Sequence, residues 1–242
     1  MTTAIVLAGG LGTRLRGVVS DVPKPMAPIL GRPFLALQLD YWIGQGVKRI
    51  VLSVGYMADV IRAHFGSSYR GYPVDYAVEA TPLGTGGGML AAMQVAQRVT
   101  DASPAPVLVL NGDTFFEVSL EALQGKHQDN AADWSMALFR SNEAGRYMGL
   151  TLASDGQVIS TRSESRELGV LANGGVYLIS PQALTKLNVQ DNQVRSLEDD
   201  LIPAFQSAGG RMYGVPFDGR FIDIGVPSDY QRAATLLQPF AA

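Results

Sequence analysis

Four charged residues stand in settings that suggest chemistry on phosphate groups. Arg14 follows three glycines, at positions 9, 10 and 12, that come directly after an apolar run. Lys24 lies between two prolines, Asp113 follows the apolar run in "VLVLNGD", and Asp223 lies in the apolar stretch "FIDIG". Backbone N–H groups of a glycine-rich loop can bind phosphate oxygens, whose charge arginine and lysine neutralise. Carboxylates are oxygen ligands of the kind that Mg²⁺ prefers.

The loop "AGGLGTRL" (8–15) is open to several interpretations. A Walker-type phosphate loop requires Gly-Lys-Ser/Thr at its end, where this chain has Gly-Thr-Arg. A dinucleotide fingerprint, as in an NAD-dependent oxidoreductase, requires a third glycine where Leu15 stands, and no acid for a ribose follows the next strand. A third kind of phosphate loop uses Arg14 as its cation. An ordinary tight turn explains one glycine well but three glycines and an arginine poorly.

Lys24 has a stiff sequence frame in "DVPKPMAP" (21–28). Each proline fixes its own φ and pushes the residue before it toward extended geometry. A solvated surface lysine needs no such frame. We therefore expect Lys24 to point at a ligand.

Alternating strands and helices must position these residues. The first half predicts strands at 3–8, 48–55, 72–80 and 105–113 and helices at 33–46, 57–66 and 86–99. This order is typical of a doubly wound, mostly parallel sheet with right-handed crossovers. Asp113 then lies at the edge of the sheet where ligands bind in such folds.

The second half is richer in predicted strands, at 134–140, 149–154, 157–160, 173–180 and 211–217. It predicts only three helices, at 181–187, 196–208 and 228–237. We therefore predict a single α/β domain over residues 1–242, with a Rossmann-like, mostly parallel mixed sheet flanked by helices. Residues 1–115 would be its nucleotide-binding half, and residues 116–242 the substrate half that completes the same sheet.

The composition excludes several other classes of protein. The chain has 242 residues, is 47% hydrophobic and has a net charge of −3, so a nucleic-acid partner is not expected. It has no cysteine and only two histidines, which argues against disulfides and a His/Cys zinc site. No apolar run approaches the roughly 20 residues of a membrane span, and no signal peptide is evident. We expect a cytoplasmic protein without a membrane partner.

The pair of motifs "LAGGLGTRL" (7–15) and "PKP" (23–25) resembles the signature of the sugar-1-phosphate nucleotidyltransferases, also called nucleoside-diphosphate-sugar pyrophosphorylases. The resemblance continues in order through "PLGTGGG" (82–88), "LNGDTFF" (110–116), "NGGVYLI" (173–179), "SLEDDLIP" (196–203) and "FIDIGVPSDY" (221–230). It thus covers nearly the whole chain. Within the family, "SVGY", "PLGTGG" and "NGDTFF" are most like the guanylyltransferases that act on a heptose 1-phosphate.

The resemblance implies transfer of a nucleoside monophosphate from an NTP to a sugar 1-phosphate, with release of pyrophosphate. It implies catalytic roles for Arg14, Lys24, Asp113 and Asp223, with both aspartates holding Mg²⁺. Alternatively, Asp113 forms a turn in Asn-Gly-Asp, and Asp223 is a strand-end or helix-capping acid. The expected nucleotide-binding residues are Leu7, Ala8, Gly9, Gly10, Gly12, Thr13, Arg14, Lys24, Glu79, Pro82, Gly84, Thr85 and Gly112.

Glu79 favours guanine as the base. Guanine presents two adjacent donors, N1–H and N2–H₂, which one carboxylate can accept as a pair. Uracil and thymine present one donor between two carbonyls, which a carboxylate partly repels. GTP is therefore the expected donor, and Gly84 and Gly86 would leave room for the ring. The alternatives are a surface acid at Glu79, and a uridylyltransferase for N-acetylmuramate or hexose 1-phosphate.

The residues expected to bind the sugar phosphate are Tyr147, Gly149, Arg162, Arg166, Asn173, Glu198 and Asp200. Glu198 and Asp200 are equally consistent with acids in the first turn of a helix behind Ser196. Relatives commonly carry a Glu-Lys pair where this chain has "TRSESRELG" (161–169), without lysine. Arg162 or Arg166 would take that lysine's place, although an arginine fork is not a point charge.

Two further matters stay open at this point. A non-catalytic, nucleotide-sensing member of the family would have lost Arg14, Lys24 or one of the aspartates, and all four are present. The sequence does not specify the oligomeric state, for which a homodimer is one alternative.

Overall fold

Buried apolar runs form the strands of an eight-stranded sheet. The computed structural model describes residues 2–15, 17–19, 21–99, 105–163, 167–187 and 193–241. The strands of the large sheet are β1 (Thr2–Leu7), β4 (Val47–Val54), β5 (Ser68–Tyr69), β6 (Tyr72–Val78), β7 (Val107–Asn111), β9 (Trp134–Arg140), β12 (Leu171–Ile179) and β13 (Met212–Pro216). Short two-stranded sheets pair β2 (Pro28–Ile29) with β3 (Arg32–Pro33), β8 (Thr114–Phe116) with β14 (Phe221–Asp223), and β10 (Thr151–Leu152) with β11 (Val158–Ser160).

The large sheet is mixed but mostly parallel, which confirms the predicted fold class. Its strand order is β13-β9-β12-β7-β1-β4-β6-β5. The pairs β1–β4, β1–β7, β4–β6 and β9–β13 are parallel. Only β12 and the short edge strand β5 pair antiparallel within the described part of this sheet. Strand β12 lies between β7 and β9, so strands from both predicted halves form one sheet.

Helices cover both faces of the sheet. They are α1 (Phe34–Gly44), α2 (Ala58–Phe65), α3 (Gly84–Val99), α4 (Leu120–Asp129), α5 (Ile202–Ser207) and α6 (Pro227–Leu237). Alternate residues of β1 point to opposite faces: Val6 packs in the core with Trp42 of α1, whereas Ile5 packs in the core with Met89 of α3 and Phe205 of α5. No helix in the described ranges is long and apolar enough to cross a membrane.

The prediction of only three helices in the second half is wrong, because α4 lies between β8 and β9. Its surface is polar, so it lacks a strong apolar run, but its start carries an ordinary signal. Ser119 Oγ accepts a hydrogen bond from the N–H of Ala122 (3.2 Å) and caps the helix. Leu120, Leu123 and His127 form its buried face.

Two predicted helices have a tighter or wider geometry than expected. Residues Pro181–Lys186 form a 3-10 helix, and the segment predicted at 196–208 begins as a π-helix, Leu197–Leu201, before continuing as α5. The strand predicted at 149–154 is confined to β10. The strands β8 and β14, of three residues each, are absent from the sequence prediction.

Candidate active site

The glycine loop leaves the sheet at the end of β1 and folds onto the lysine segment. The N–H of Ala8 still donates to the carbonyl of Ser53 (2.8 Å), as the sheet ends. Gly12 has a φ of +58°, and a Cβ there would lie 2.9 Å from Cβ of Lys24. A side chain at position 12 would therefore be strained and would collide with Lys24. The chain continues into a short 3-10 helix, Thr13–Leu15.

Lys24 begins a second 3-10 helix, Lys24–Met26, framed by its two prolines. Its Nζ lies 2.5 Å from Oδ2 of Asp113 and 3.5 Å from Oδ1 of Asp223. Because the lysine side chain is only 8% exposed, the ammonium is directed inward and not toward bulk solvent. The structure thus brings three of the four predicted catalytic side chains into contact.

Asp113 and Asp223 are brought together by the two strands that the sequence analysis does not predict. Asp113 lies between β7 and β8, and Asp223 ends β14. Strands β8 and β14 pair antiparallel, with Asp223 opposite Thr114. The N–H of Ile224 also donates to the carbonyl of Asp113 (3.0 Å). This ladder sets both carboxylates around one ammonium.

Gly225 closes the site and is not among the predicted residues. Its N–H donates to Oδ1 of Asp223 (2.6 Å). A Cβ at this position would lie 2.7 Å from that oxygen and 3.0 Å from Nζ of Lys24. The glycine of "FIDIG" is the sequence signal that could have identified Gly225. Any other residue would place its Cβ against the Lys24 ammonium.

These elements line one cleft, which we call the phosphate cleft. Its lining residues are Leu7, Gly10, Gly12, Arg14, Lys24, Pro25, Asp113 and Gly225. All of them except Pro25 and Gly225 are predicted site residues. Arg14 is exposed on the cleft wall, where its guanidinium can reach an anion. Gly112 does not line the cleft, but its N–H donates to the carbonyl of the lining residue Leu7 (3.0 Å).

Glu79 lies under the glycine loop and is not among the residues that line the phosphate cleft. Its Oε1 accepts a hydrogen bond from Ser53 Oγ (3.0 Å), and its Oε2 accepts one from the N–H of Leu83 (2.9 Å). A Cβ at Gly9 or at Gly88 would lie 2.5 or 2.7 Å from Oε1. The carboxylate is therefore fixed in orientation, while an ionised carboxylate has further lone pairs to offer.

The glycines that begin α3 contact another segment of the chain. Gly84 has a φ of +72°, and a Cβ there would lie 2.5 Å from the carbonyl oxygen of Arg195. The N–H groups of Gly86 and Gly87 donate to that same carbonyl (2.9 and 3.3 Å). The space beside Gly84, which the sequence analysis assigns to the base, is thus occupied by the backbone of Arg195. Pro82, ahead of these glycines, is exposed.

Thr85 connects the two predicted halves. Its Oγ1 accepts a hydrogen bond from the N–H of Leu197 (2.8 Å) and donates one to Oε2 of Glu198 (3.2 Å). The Thr85 hydroxyl, which the sequence analysis expects to bind nucleotide, is therefore hydrogen-bonded to Glu198, a residue expected on the sugar side.

A second cavity, which we call the sugar-side cavity, brings together four of the residues expected to bind the sugar phosphate: Tyr147, Arg162, Asn173 and Glu198. Its other lining residues, which are not among the predicted site residues, are Met136, Met148, Leu150, Thr161, Ala172, Asp199 and Ile202. Most of these are apolar or lie in irregular loops, and only Asp199 and Ile202 belong to a quoted motif, "SLEDDLIP". Gly149 lies beside the cavity, where it pairs with Ala172.

One of the expected sugar-side residues, Asp200, does not line this cavity. Oδ2 of Asp200 accepts a hydrogen bond from the N–H of Ser196 (2.7 Å), while Ser196 Oγ accepts one from the N–H of Asp199 (3.0 Å). These bonds cap the π-helix, so Asp200 is an acid in the first turn of a helix behind Ser196, which is the alternative that the sequence analysis gives. Arg166 lies outside the described residues.

The polar groups of the sugar-side cavity form a chain of hydrogen bonds. Asn173 Nδ2 donates to the hydroxyl of Tyr177 (2.7 Å), which donates to Oε1 of Glu198 (3.4 Å). Burial raises the pKa of Glu198, although the hydrogen bonds from Thr85 and Tyr177 counteract part of this effect. Arg162 forms an exposed ion pair with Asp199 at the cavity wall.

Asp113 and Asp223 form a donor set that fits a hard divalent cation. Both supply carboxylate oxygens, and both reach the position of the Lys24 ammonium, so a single positive charge already lies between them. Within the described residues, no group of three or more His, Cys, Asp or Glu side chains could hold a metal. A cation held here therefore needs further oxygens from a bound ligand, which is the usual situation for Mg²⁺ at phosphate sites.

Comparison with known proteins agrees with this geometry. The chain is 38% identical over 237 residues, 98% of its length and 99% of the relative's, to a D-glycero-α-D-manno-heptose 1-phosphate guanylyltransferase of Aneurinibacillus thermoaerophilus. It is 36% identical over 227 residues, 94% and 96% of the two chains, to the enzyme of the same name in Campylobacter jejuni. A crystal structure of HddC from Yersinia pseudotuberculosis in complex with GMP-PN superimposes with a TM-score of 0.81 at 33% identity, covering 97% of this chain and 99% of HddC.

The Nucleotidyl transferase family matches residues 3–238, nearly the whole chain. The phosphate cleft, the paired aspartates and the sugar-side cavity all lie within that span. The chain therefore belongs to the Nucleotidyl transferase family.

Proposed function

We propose that this protein transfers guanylate from GTP to D-glycero-α-D-manno-heptose 1-phosphate and releases pyrophosphate. The observation that carries the proposal is the convergence of Lys24, Asp113 and Asp223 at the glycine loop. It occurs in a chain that matches two guanylyltransferases of this sugar phosphate along almost its entire length.

The chemistry needs positioning and charge neutralisation more than it needs a base. An oxygen of the sugar phosphate forms a bond to the α-phosphorus of GTP, and the bond from that phosphorus to the α,β-bridging oxygen breaks as pyrophosphate leaves. A phosphate monoester has a second pKa of about 6, so its oxygen is largely deprotonated at neutral pH. The barrier lies instead in bringing two polyanions into line.

The phosphate cleft supplies the groups for this task. Backbone N–H groups of residues 9–13 would bind the β- and γ-phosphates, and Arg14 would hold the pyrophosphate as it leaves. Lys24 would neutralise the phosphates at the reacting centre, since its ammonium is held beside both aspartates. Donors that are already oriented need no rearrangement as charge develops in the transition state.

Asp113 and Asp223 would hold Mg²⁺ together with phosphate oxygens of the nucleotide. The bound cation would supply charge neutralisation at the α-phosphate. The identity of the metal is a proposal that rests on the oxygen-only donor set.

Guanine selection is assigned to Glu79 in this proposal. Its carboxylate is oriented by Ser53 and Leu83 and could accept N1–H and N2–H₂ of guanine at its remaining lone pairs. The complex of the similar HddC with GMP-PN supports a guanine nucleotide. On the sugar side, Tyr147, Asn173 and Glu198 would contact the sugar, and Arg162 would take the place of the family's lysine.

Pyrophosphate release tests the proposal directly. Five triphosphates (GTP, ATP, UTP, CTP and dTTP) should be combined with heptose, mannose, glucose and N-acetylmuramate 1-phosphates, with and without Mg²⁺. We expect the highest kcat/KM for GTP with the heptose 1-phosphate, and none without the metal. Faster turnover of UTP with N-acetylmuramate 1-phosphate would replace the proposal with a uridylyltransferase, and no release in any combination would refute an enzyme.

A cytoplasmic location and a homodimer also stay predictions. Fractionation of cells that produce the protein tests the first, and sedimentation equilibrium tests the second.

A further inference from the structure

We infer that Arg146 is a positioning residue that sets the sugar-side loop against the segment carrying Asp223. The inference rests on the proposed function, because it concerns how the sugar phosphate is placed relative to the nucleotide. We call residues 141–148 the sugar-side loop, since Tyr147 and Met148 at its end line the sugar-side cavity. Arg146 itself does not line that cavity or the phosphate cleft.

Arg146 holds two carboxylates from different parts of the chain. Its Nη1 lies 2.9 Å from Oε2 of Glu143, within the same loop. Its Nη2 is hydrogen-bonded to Oδ2 of Asp229, in the first turn of α6. The side chain of Asp229 is 2% exposed, whereas that of Arg146 is 22% exposed. The loop is thus joined to α6 through a nearly buried ion pair, which is poorly screened by solvent.

The two ends of this link lie next to the reacting groups. On one side, Arg146 is followed directly by Tyr147, and its guanidinium lies 4.9 Å from the centre of that ring. On the other side, α6 begins at Pro227, a few residues beyond Asp223 and Gly225. The ion pair therefore connects a wall of the sugar-side cavity to a proposed ligand of the metal.

Aromatic packing makes this connection stiff. Tyr147 packs edge-on against Phe139 of β9 and Phe221 of β14, with ring centres 4.9 and 5.8 Å apart. Phe139 and Phe221 are stacked, with centres 3.7 Å apart. Phe221 and Asp223 belong to the same short strand, which is paired with β8 and therefore gives the Tyr147 ring a fixed surface to pack against.

A neighbouring arginine offers a matched control. Arg232, one turn along α6, lies 2.7 Å from Oδ1 of Asp229 and 3.2 Å from Oε1 of Glu143. It reaches the same two carboxylates, but its side chain is 55% exposed and belongs to α6 and not to the loop. Loss of Arg146 leaves Asp229 paired with Arg232, so the fold should survive the substitution.

The test compares Arg146→Met, Arg146→Lys and Arg232→Met with the wild type. For Arg146→Met we expect kcat/KM for the sugar 1-phosphate to fall by about 100-fold, the loss that a misplacement of about 1 Å can cause. The KM for GTP and the dissociation constant for GTP by calorimetry should stay within about twofold of the wild type, since the phosphate cleft is untouched. Arg146→Lys should recover only part of the loss, because one ammonium cannot reproduce a two-nitrogen fork.

Arg232→Met should keep near wild-type kinetics for both substrates. The inference is overturned if Arg146→Met lowers kcat/KM equally for both substrates, changes neither value, or is matched by Arg232→Met. Those results describe an ion pair that only stabilises α6. If Arg146→Met does not fold, Arg146→Lys is judged by the same criteria. All variants are assayed with the substrate pair that the wild type turns over. A wild type that is inactive on GTP and the heptose 1-phosphate therefore refutes the proposed function but not the role of Arg146.

Discussion

Lys24 Nζ lies 2.5 Å from Oδ2 of Asp113, so a proposed phosphate-binding cation and a proposed metal ligand neutralise each other. Oδ1 of Asp223 lies 3.5 Å from the same ammonium. The ammonium therefore does in the free protein what a divalent cation would do with nucleotide bound: it reduces the repulsion between two neighbouring carboxylates.

Lys24→Met should remove this neutralisation. We expect kcat to fall by roughly 100- to 1,000-fold, the loss typical of one preorganised donor. We also expect Mn²⁺ to bind the free variant more tightly than the free wild type, because the competing charge is gone. Pyrophosphate release and electron paramagnetic resonance of Mn²⁺ measure the two effects. Unchanged turnover would contradict the role of Lys24.

Asp113→Asn should abolish pyrophosphate release while leaving the fold intact, because Asp113 is partly exposed and the β8–β14 ladder does not depend on its side chain. Added Mg²⁺ should not restore the activity. The matched control is Asp59→Asn, whose side chain is 99% exposed on α2 and should change neither turnover nor stability. Equal activity of the two variants would refute metal binding by Asp113.

Gly84→Ala should destabilise the protein by at least about 1 kcal/mol, the usual cost of a left-handed conformation for a residue other than glycine. The new Cβ would also meet the carbonyl of Arg195 at 2.5 Å. At this chain length, that loss lowers the melting temperature by roughly 2–4 °C or more. Gly125→Ala is the control, because a Cβ there meets open space inside α4 and should be neutral or stabilising by up to about 1 kcal/mol.

Glu198→Gln should raise the melting temperature at pH 7 and weaken sugar-phosphate turnover by about tenfold, the effect of one hydrogen bond to a charged group.

Burial raises the folded-state pKa of Glu198, so the folded protein holds its proton more strongly than the unfolded chain does. Stability then falls as pH rises from the unfolded pKa through the folded pKa, and the penalty is complete above it. The difference in melting temperature between the wild type and the variant should therefore disappear at about pH 4. A constant difference from pH 4 to pH 8 would contradict this account.

The sequence predicts β1 and β7 well, because each is an almost continuous apolar run followed by a loop. It does not predict the three-residue strands β8 and β14, which bring Asp113 beside Asp223. The proximity of those residues could be inferred only from the family resemblance. The comparisons confirm that resemblance. The roles of the individual site residues stay predictions.

Contacts between distant segments account for the other omissions. Helix α4 carries a capping serine but a polar surface, so its apolar stripe is weak. The acceptor for Gly86 and Gly87 is a backbone carbonyl at residue 195, and no side-chain type marks it. Arg146 and Asp229 are ordinary surface types in the sequence, and only the tertiary structure pairs them.

The pairing of β8 with β14 has a consequence for synthesis of the protein. Asp113 leaves the ribosome long before Asp223, and the two meet only through a ladder between segments far apart in the chain. A nascent chain that has folded its first strands can present the glycine loop, but it has only one of the two carboxylates. The proposed pair of metal ligands is therefore complete only once β14 has been synthesised and has paired with β8.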